Sequence, residues 1–190
     1  MNRYSGWTKR SELEFWKSQE LSYHIKSIKT KYDNFNVNEM IKDRQPKVVM
    51  DIGGGLLGGA LYFYHNTGIK ILVDVLGSEF SKENKMPKDI LVCTSDFSQV
   101  PFLDNSVDVL FVWNTLDHAL TWGHFESAQS ECVRLLANKG LFFFQCPLRT
   151  EPNNFHIATP SKDEILEGFK SLSILNDSSN TNEVSIIFST

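Results

Sequence analysis

Five short apolar runs recur along the chain with helix-length segments between most of them, and this alternation restricts the fold more than any other feature. KVVMDI (47–52), IKILVDV (69–75), DILVCTSD (89–96), VDVLFVW (107–113) and LFFFQC (141–146) have the length and side-chain types of strands. Leu57, Ala60, Leu61 and Tyr64 fall at helical spacing, and so do Phe125, Ala128, Cys132 and Leu135. Gly68 is expected to end the first of these helices, and an Asn138–Gly140 turn the second. A polar helix is expected around Ser78–Asn84. SLSIL and EVSIIFS flank NDSSNTN, a loop too short for a helical crossover, so the two strands should form an antiparallel hairpin. The pattern predicts an α/β, Rossmann-like three-layer αβα sandwich: a mostly parallel seven-stranded sheet with an antiparallel C-terminal hairpin strand.

Before the first strand, residues 11–31 read as helix, with Ser11 as N-cap and Glu14 completing a capping box. A link from Asp33 to Asn38 leads to a short helix that stops before Pro46. Thr159 or Ser161 can cap a late helix containing Ile165 and Phe169. At 190 residues the chain has room for one ordinary domain.

Charge narrows the partners. Residues 1–47 carry ten Lys/Arg against six Asp/Glu, and the remainder nine against seventeen. So acidic a body is a poor track for nucleic-acid phosphates. Cys93, Cys132 and Cys146 are odd in number and lack metal-ligand spacing. Buried, reduced thiols and a cytoplasmic protein without a bound metal are therefore expected. The charged N-terminus lacks a signal-peptide core, and no apolar run is long enough to span a membrane.

The richest local signal is VVMDIGGGLLGGAL (48–61), with five glycines between Gly53 and Gly59. Glycines between strand and helix let a ligand approach the backbone, and a following helix N-terminus offers N–H groups to an anion. Gly53, Gly55 and Gly58 fit G-x-G-x-x-G, with Asp74 about twenty residues on, as a dinucleotide site requires. The same loop suits a cationic nucleoside: Asp51 closes the first strand, where it would repel a pyrophosphate and attract an ammonium or sulfonium. Against a nicotinamide dehydrogenase, none of the five tyrosines has a lysine four residues later, and a separate catalytic domain has no room.

Asp51-Ile52-Gly53-Gly54-Gly55 resembles the first motif of the class I, seven-strand S-adenosylmethionine-dependent methyltransferases, and the chain is most similar to their type 11 group. PFLDNSVDVLFVWNTLDH (101–118) resembles the family's entry into the fourth strand, Val107 replacing an aromatic and His118 matching a histidine. ECVRLLANKGLFFF resembles the family's turn into the fifth strand. The likeness covers residues 46–150. Leu57 stands where the family has a third glycine, with Gly58 and Gly59 immediately after.

The resemblance implies S-adenosyl-L-methionine as methyl donor and S-adenosyl-L-homocysteine as product. It implies that Asp51, Gly53 and Gly55 hold the amino-acid end, Asp74 with Val75 the ribose, and Asp96 with Phe97 the adenine. Trp113 is expected on the pocket wall. Residues 1–45 form an N-terminal helical lid or extension, with Tyr4, Trp7, Phe15 and Trp16 clustered. Residues 46–150 form the cofactor-binding core, and 151–190 the C-terminal helix and hairpin. The acceptor is a small molecule, saccharides included. Asn114-Thr115-Leu116 lacks the prolines of enzymes that methylate nucleic-acid amines. A weakly acidic acceptor needs a base, for which His118 and His156 are the candidates. His24 and His65 are expected to be structural or exposed, and His124 has no evident role. A protein that binds the nucleoside without chemistry, or an NAD(P)-binding Rossmann protein, are the alternatives.

Overall fold

The structure, a computed structural model, describes residues 8–66, 68–151, 156 and 158–190. Seven strands form one sheet: β1 (Val48–Ile52), β2 (Ile69–Val73), β3 (Ile90–Cys93), β4 (Val107–Trp113), β5 (Leu136–Pro147), β6 (Ser173–Asp177) and β7 (Glu183–Ser189). Their order is β3-β2-β1-β4-β5-β7-β6. β1 to β5 pair in parallel, and β7 runs antiparallel between β5 and β6. The order reverses at β1, where consecutive strands step outward in opposite directions and leave a crevice at their carboxyl ends.

Alternation along the buried strands divides the apolar side chains between two cores. Met50, Ile71, Leu110 and Phe142 pack under α5 (Trp122–Leu135) and α6 (Lys162–Gly168), through Phe125, Cys132 and Ile165. Val49, Leu72, Phe111 and Phe143 pack on the other face against α2 (Leu21–Asn34) and α3 (Val37–Ile41), through Tyr32, Phe35 and Ile41. A helix between them in sequence, α4 (Gly77–Lys82), carries Phe80 into a small cluster with Leu56 and Leu76. The three-layer αβα sandwich is therefore the observed fold.

Four local expectations give way. The continuous helix over 11–31 is two helices, α1 (Lys9–Ser18) and α2, separated by an extended Gln19, and α1 is capped by Thr8 with Ser11 completing the box. The glycine run is followed by two 3₁₀ turns, Gly55–Leu57 and Gly59–Tyr62, instead of an α-helix, because Gly58 and Gly59 both take left-handed backbone and interrupt the ladder. Leu136 already pairs with Val107, so α5 passes straight into β5 and the Asn138–Gly140 turn lies inside that strand's span. Cys93 is partly exposed, whereas Cys132 and Cys146 are buried; all three are free.

Arg134 on α5 explains the P-F-x-D run. Its guanidinium donates to the Val100 and Phe102 carbonyls and pairs with Asp104 and Glu131, which clamps the approach to β4. Asp108 meanwhile accepts from the Lys47 and Val48 N–H groups and fixes the start of β1. No helix among the described residues is long and apolar enough to cross a membrane.

Candidate active site

Asp51 lies in β1, Asp74 directly after β2 and Asp96 beyond β3, so three acids stand at the ends of adjacent strands. Asp51 is buried and accepts from the Ala60 N–H at 2.6 Å. Asp74 accepts from the Leu76 N–H at 2.8 Å and the Gly55 N–H at 3.1 Å. The loop's N–H groups thus point at carboxylates of the protein itself, where a phosphate-binding loop would aim them at its ligand. Burial pushes the Asp51 carboxyl well above the usual carboxylate range, against the Ala60 hydrogen bond, with Asp74 adding to the rise. Burial likewise raises Asp74 to about 6, opposed by its two backbone hydrogen bonds. Neither acid has a salt bridge among the described residues. A buried carboxylate and a half-buried one, neither in a salt bridge among the described residues, make a cradle suited to a positively charged ligand.

Gly53 turns the chain at φ +75°, and a Cβ there would lie 2.3 Å from the Thr115 methyl. Its N–H bonds the Val73 carbonyl at 2.7 Å, so the backbone itself floors the crevice. Gly55 is covered by the Trp16 ring: a Cβ would come within 2.5 Å of it. Trp16 on α1 stacks on His24 with centroids 4.6 Å apart, and its Nε1 donates to Glu12 at 2.9 Å.

One cavity extends from Gly53 past Asp74, Val75 and Leu76 to Asp96 and Phe97. His124, which the sequence left without a role, closes its far end. The Leu120 N–H donates to His124 Nδ1 at 3.1 Å, leaving Nε2 to donate to Asp96 Oδ1 at 2.9 Å. The imidazole also stacks on Phe97, with centroids 4.6 Å apart and planes 17° from parallel. Burial raises the Asp96 carboxyl, but the hydrogen bonds from His124 and from the Ser98 N–H and hydroxyl outweigh it and hold the acid below its ordinary range.

A second cavity shares Glu12, Trp16, Gly53, Asn114 and His118 with the first, so the two adjoin. It reaches Asp51, Trp113, Lys31, Arg149 and His156. Trp113 stacks on Phe35, with planes 4° apart, and its Nε1 is buried without a partner among the described residues. His118 and His156 meet with ring centroids 4.5 Å apart. Beneath them, Asp117 is fully buried; Oδ2 lies 3.4 Å from Arg149 Nε and 3.6 Å from His156 Nε2, and Oδ1 has no partner among the described residues. Burial pushes His156 down to about 4, with His118 and Arg149 adding to the fall and Asp117 opposing it. The imidazole is therefore neutral at physiological pH. Donor atoms of Asp117, His118 and His156 lie within 4.8 Å of one another, a gathering that the sequence, read as metal-free, did not announce.

The model of a family described as a methyltransferase domain, type 11, matches residues 50–144, half of the chain. The chain belongs to this methyltransferase domain family. Among curated proteins, the chain is 26% identical over 110 residues to the sarcosine/dimethylglycine N-methyltransferase of Aphanothece halophytica. That match takes in 54% of the chain but 39% of the relative, so the chain spans well under half of the relative's length. Among solved structures, the N-methyltransferase NodS of Bradyrhizobium japonicum WM9, in complex with S-adenosyl-L-homocysteine, superposes with a TM-score of 0.71 at 13% identity, covering 100% of this chain and 99% of that one. The 1,6-didemethyltoxoflavin-N1-methyltransferase of Burkholderia thailandensis superposes at 0.64 with 11% identity, covering 95% and 83%. These structural likenesses establish the fold.

Of the expected site residues, Asp51, Gly53, Asp74, Val75, Asp96, Phe97, Trp113, His118 and His156 line the two cavities, and Gly55 lies under Trp16. The structure adds Glu12, Lys31, Asn114, His124 and Arg149 to the lining. His24, expected to be structural or exposed, is buried and also faces the second cavity, while His65 lies on the surface after a 3₁₀ turn instead of in a helix. Phe15 and Trp16 of the expected aromatic cluster line the second cavity; Tyr4 and Trp7 lie outside the described residues.

Proposed function

We propose that this domain transfers a methyl group from S-adenosyl-L-methionine to a nitrogen or oxygen of a small molecule. The observation that carries the reading is the pair of cavities sharing Gly53, Asn114 and His118: Asp74 and Asp96 line the first, and Asp51, His156 and Arg149 the second. When bound, S-adenosylmethionine supplies an activated methyl on a sulfonium, so the protein's own work is alignment, exclusion of water and handling of a proton.

In this reading Asp51 takes the donor's ammonium beside Gly53 and Gly55, and Asp74 with Val75 takes the ribose hydroxyls. Asp96 and Phe97 take the adenine, Phe97 being braced by His124. Trp113 walls the acceptor side. The helices of residues 1–45 act as a lid through Trp16, over the core of residues 46–150, and residues 151–190 complete the sheet edge.

Arg149 and the donor's sulfonium disfavour a further cation beside them, so an amine acceptor enters with its lone pair free. Neutral His156, or His118, takes the proton that a hydroxyl or methylated amine releases. Saccharides remain within this acceptor class, and the free thiols fit a reducing cytoplasm.

Calorimetric titration with S-adenosylhomocysteine and, separately, with NAD tests the reading. Saturable S-adenosylhomocysteine binding without NAD binding is expected. NAD binding in its place refutes the proposal in favour of a dinucleotide site. Methyl-group turnover on small-molecule amines and alcohols separates an enzyme from a protein that only binds the nucleoside.

A further inference from the structure

The acceptor half of the site holds more cationic side chains than methyl transfer itself requires. Arg149, two residues past β5, spends its Nε edge on the buried Asp117 carboxylate at 3.4 Å. That contact orients the guanidinium, and its two terminal nitrogens make no hydrogen bond to the described residues. Lys31, on the α2 wall of the same cavity, has no salt bridge or side-chain hydrogen bond among the described residues. Burial lowers its ammonium to about 8, although Glu183, Asp117 and Asp51 act to raise it. A half-buried ammonium and a guanidinium whose terminal nitrogens are open thus face one cavity, which Glu12 and Asp51 also line. A planar or tetrahedral oxyanion meets both, taking paired N–H donors from Arg and a point charge from Lys.

The neighbouring Asp117, His118 and His156 could in principle take a metal dication. Arg149 lies 3.4 Å from one oxygen of the Asp117 carboxylate, and its fixed positive charge opposes a cation there.

We propose that the methyl acceptor is an anionic small molecule, its carboxylate or phosphate held by the Arg149 fork, with Asp117 as the positioning residue beneath and Lys31 as the second cation. This rests on the methyl-transfer reading above and names the substrate class of that site. It also places the acceptor's two ends: the oxyanion against Arg149, and the nucleophilic atom toward Gly53 and His118, where the two cavities join.

The test uses the full chain saturated with S-adenosylhomocysteine and two matched probe pairs, read by calorimetry. Sarcosine against sarcosinamide reports on a carboxylate, and glucosamine 6-phosphate against glucosamine on a phosphate. In at least one pair the member carrying the carboxylate or phosphate should bind about tenfold or more tightly than the twin that lacks it. Arg149→Lys keeps a counterion over Asp117 but removes the fork, and should cut that preference about fivefold or more while S-adenosylhomocysteine binds as before. Arg149→Gln with Asp117→Asn removes both charges together, avoids an unpaired buried carboxylate, and should abolish the preference. Equal binding within both pairs, or a preference that survives both variants, overturns the anionic acceptor. Failure of the unmodified chain to bind S-adenosylhomocysteine overturns the methyltransferase reading, a separate result obtained before any probe is added.

Discussion

Replacing Asp74 with Asn should strengthen the empty domain while emptying it of function. Held near 6 instead of its usual 3.8, the carboxyl carries an ionisation penalty of at most about 3 kcal/mol at pH 7.5, since 2.2 pH units at 1.36 kcal/mol each give that figure. Partial contact with crevice water reduces it. Asn escapes the penalty and keeps an acceptor for the Leu76 N–H, but its amide faces the Gly55 N–H, which loses about 1 kcal/mol of hydrogen bonding. The balance is a gain of about 1–2 kcal/mol for the ligand-free variant, a few degrees in Tm for a domain of this size. Because the folded value lies above the unfolded one, the penalty is complete above about pH 6 and fades as the pH falls toward 4. The variant's advantage should therefore be present at pH 7.5 and absent at pH 4. Two charge-assisted bonds to ribose hydroxyls, at about 1.5–3 kcal/mol each, put the loss of S-adenosylhomocysteine affinity at a hundredfold or more. Thermal melts at the two pH values and calorimetry at pH 7.5 read both effects. A variant that melts lower at pH 7.5, or that binds S-adenosylhomocysteine undiminished, would refute the assignment of Asp74 as an unneutralised ligand acid.

Two other substitutions probe the ends of the donor site. Gly53→Ala places a side chain at φ +75° and against Thr115, so it should lower stability by about 2 kcal/mol or more and abolish S-adenosylhomocysteine binding, read by urea melts and calorimetry. His124→Ala removes the ring braced on Phe97 and the donor to Asp96; S-adenosylhomocysteine affinity should fall about tenfold with little change in Tm, and unchanged affinity would displace adenine from this pocket.

The strands were legible because burial on both faces leaves little freedom in composition. VDVLFVW reads as β4 to the residue, and the two flanking cores take its alternate side chains. The acids were legible for the opposite reason: a charge at the end of an apolar strand has no packing purpose. The segment after Gly55 misled, because Leu57, Ala60, Leu61 and Tyr64 are buried as the helical spacing predicts while two left-handed glycines prevent the helix. Side-chain periodicity registers which residues face the core, and here 3₁₀ turns achieve the same facing. His124 and Arg149 escaped notice since each acts through a partner far away in sequence: Asp96 is 28 residues from His124, and Asp117 is 32 from Arg149. Only the crossing of β4 and β5 with the N-terminal helices assembles that half of the site.

The same charge layout bears on turnover as well as binding. In the proposed reaction the positive charge leaves the sulfonium with the methyl group and moves into the cavity that Arg149 lines with Lys31 and Asp51. An acceptor nitrogen that kept the charge would stand among cations, a position that disfavours the protonated product and drives its proton onto a neighbouring base. His156 is neutral and within ring contact of His118, so a proton released there has two imidazoles and a buried carboxylate to reach. An anionic group on the acceptor offsets Lys31 and Arg149 in the bound complex, which lowers the electrostatic barrier to bringing the methyl's charge across the cavity. A neutral acceptor would leave that barrier in place, so the charge needed to recognise the substrate is also the charge that lets the methyl cross.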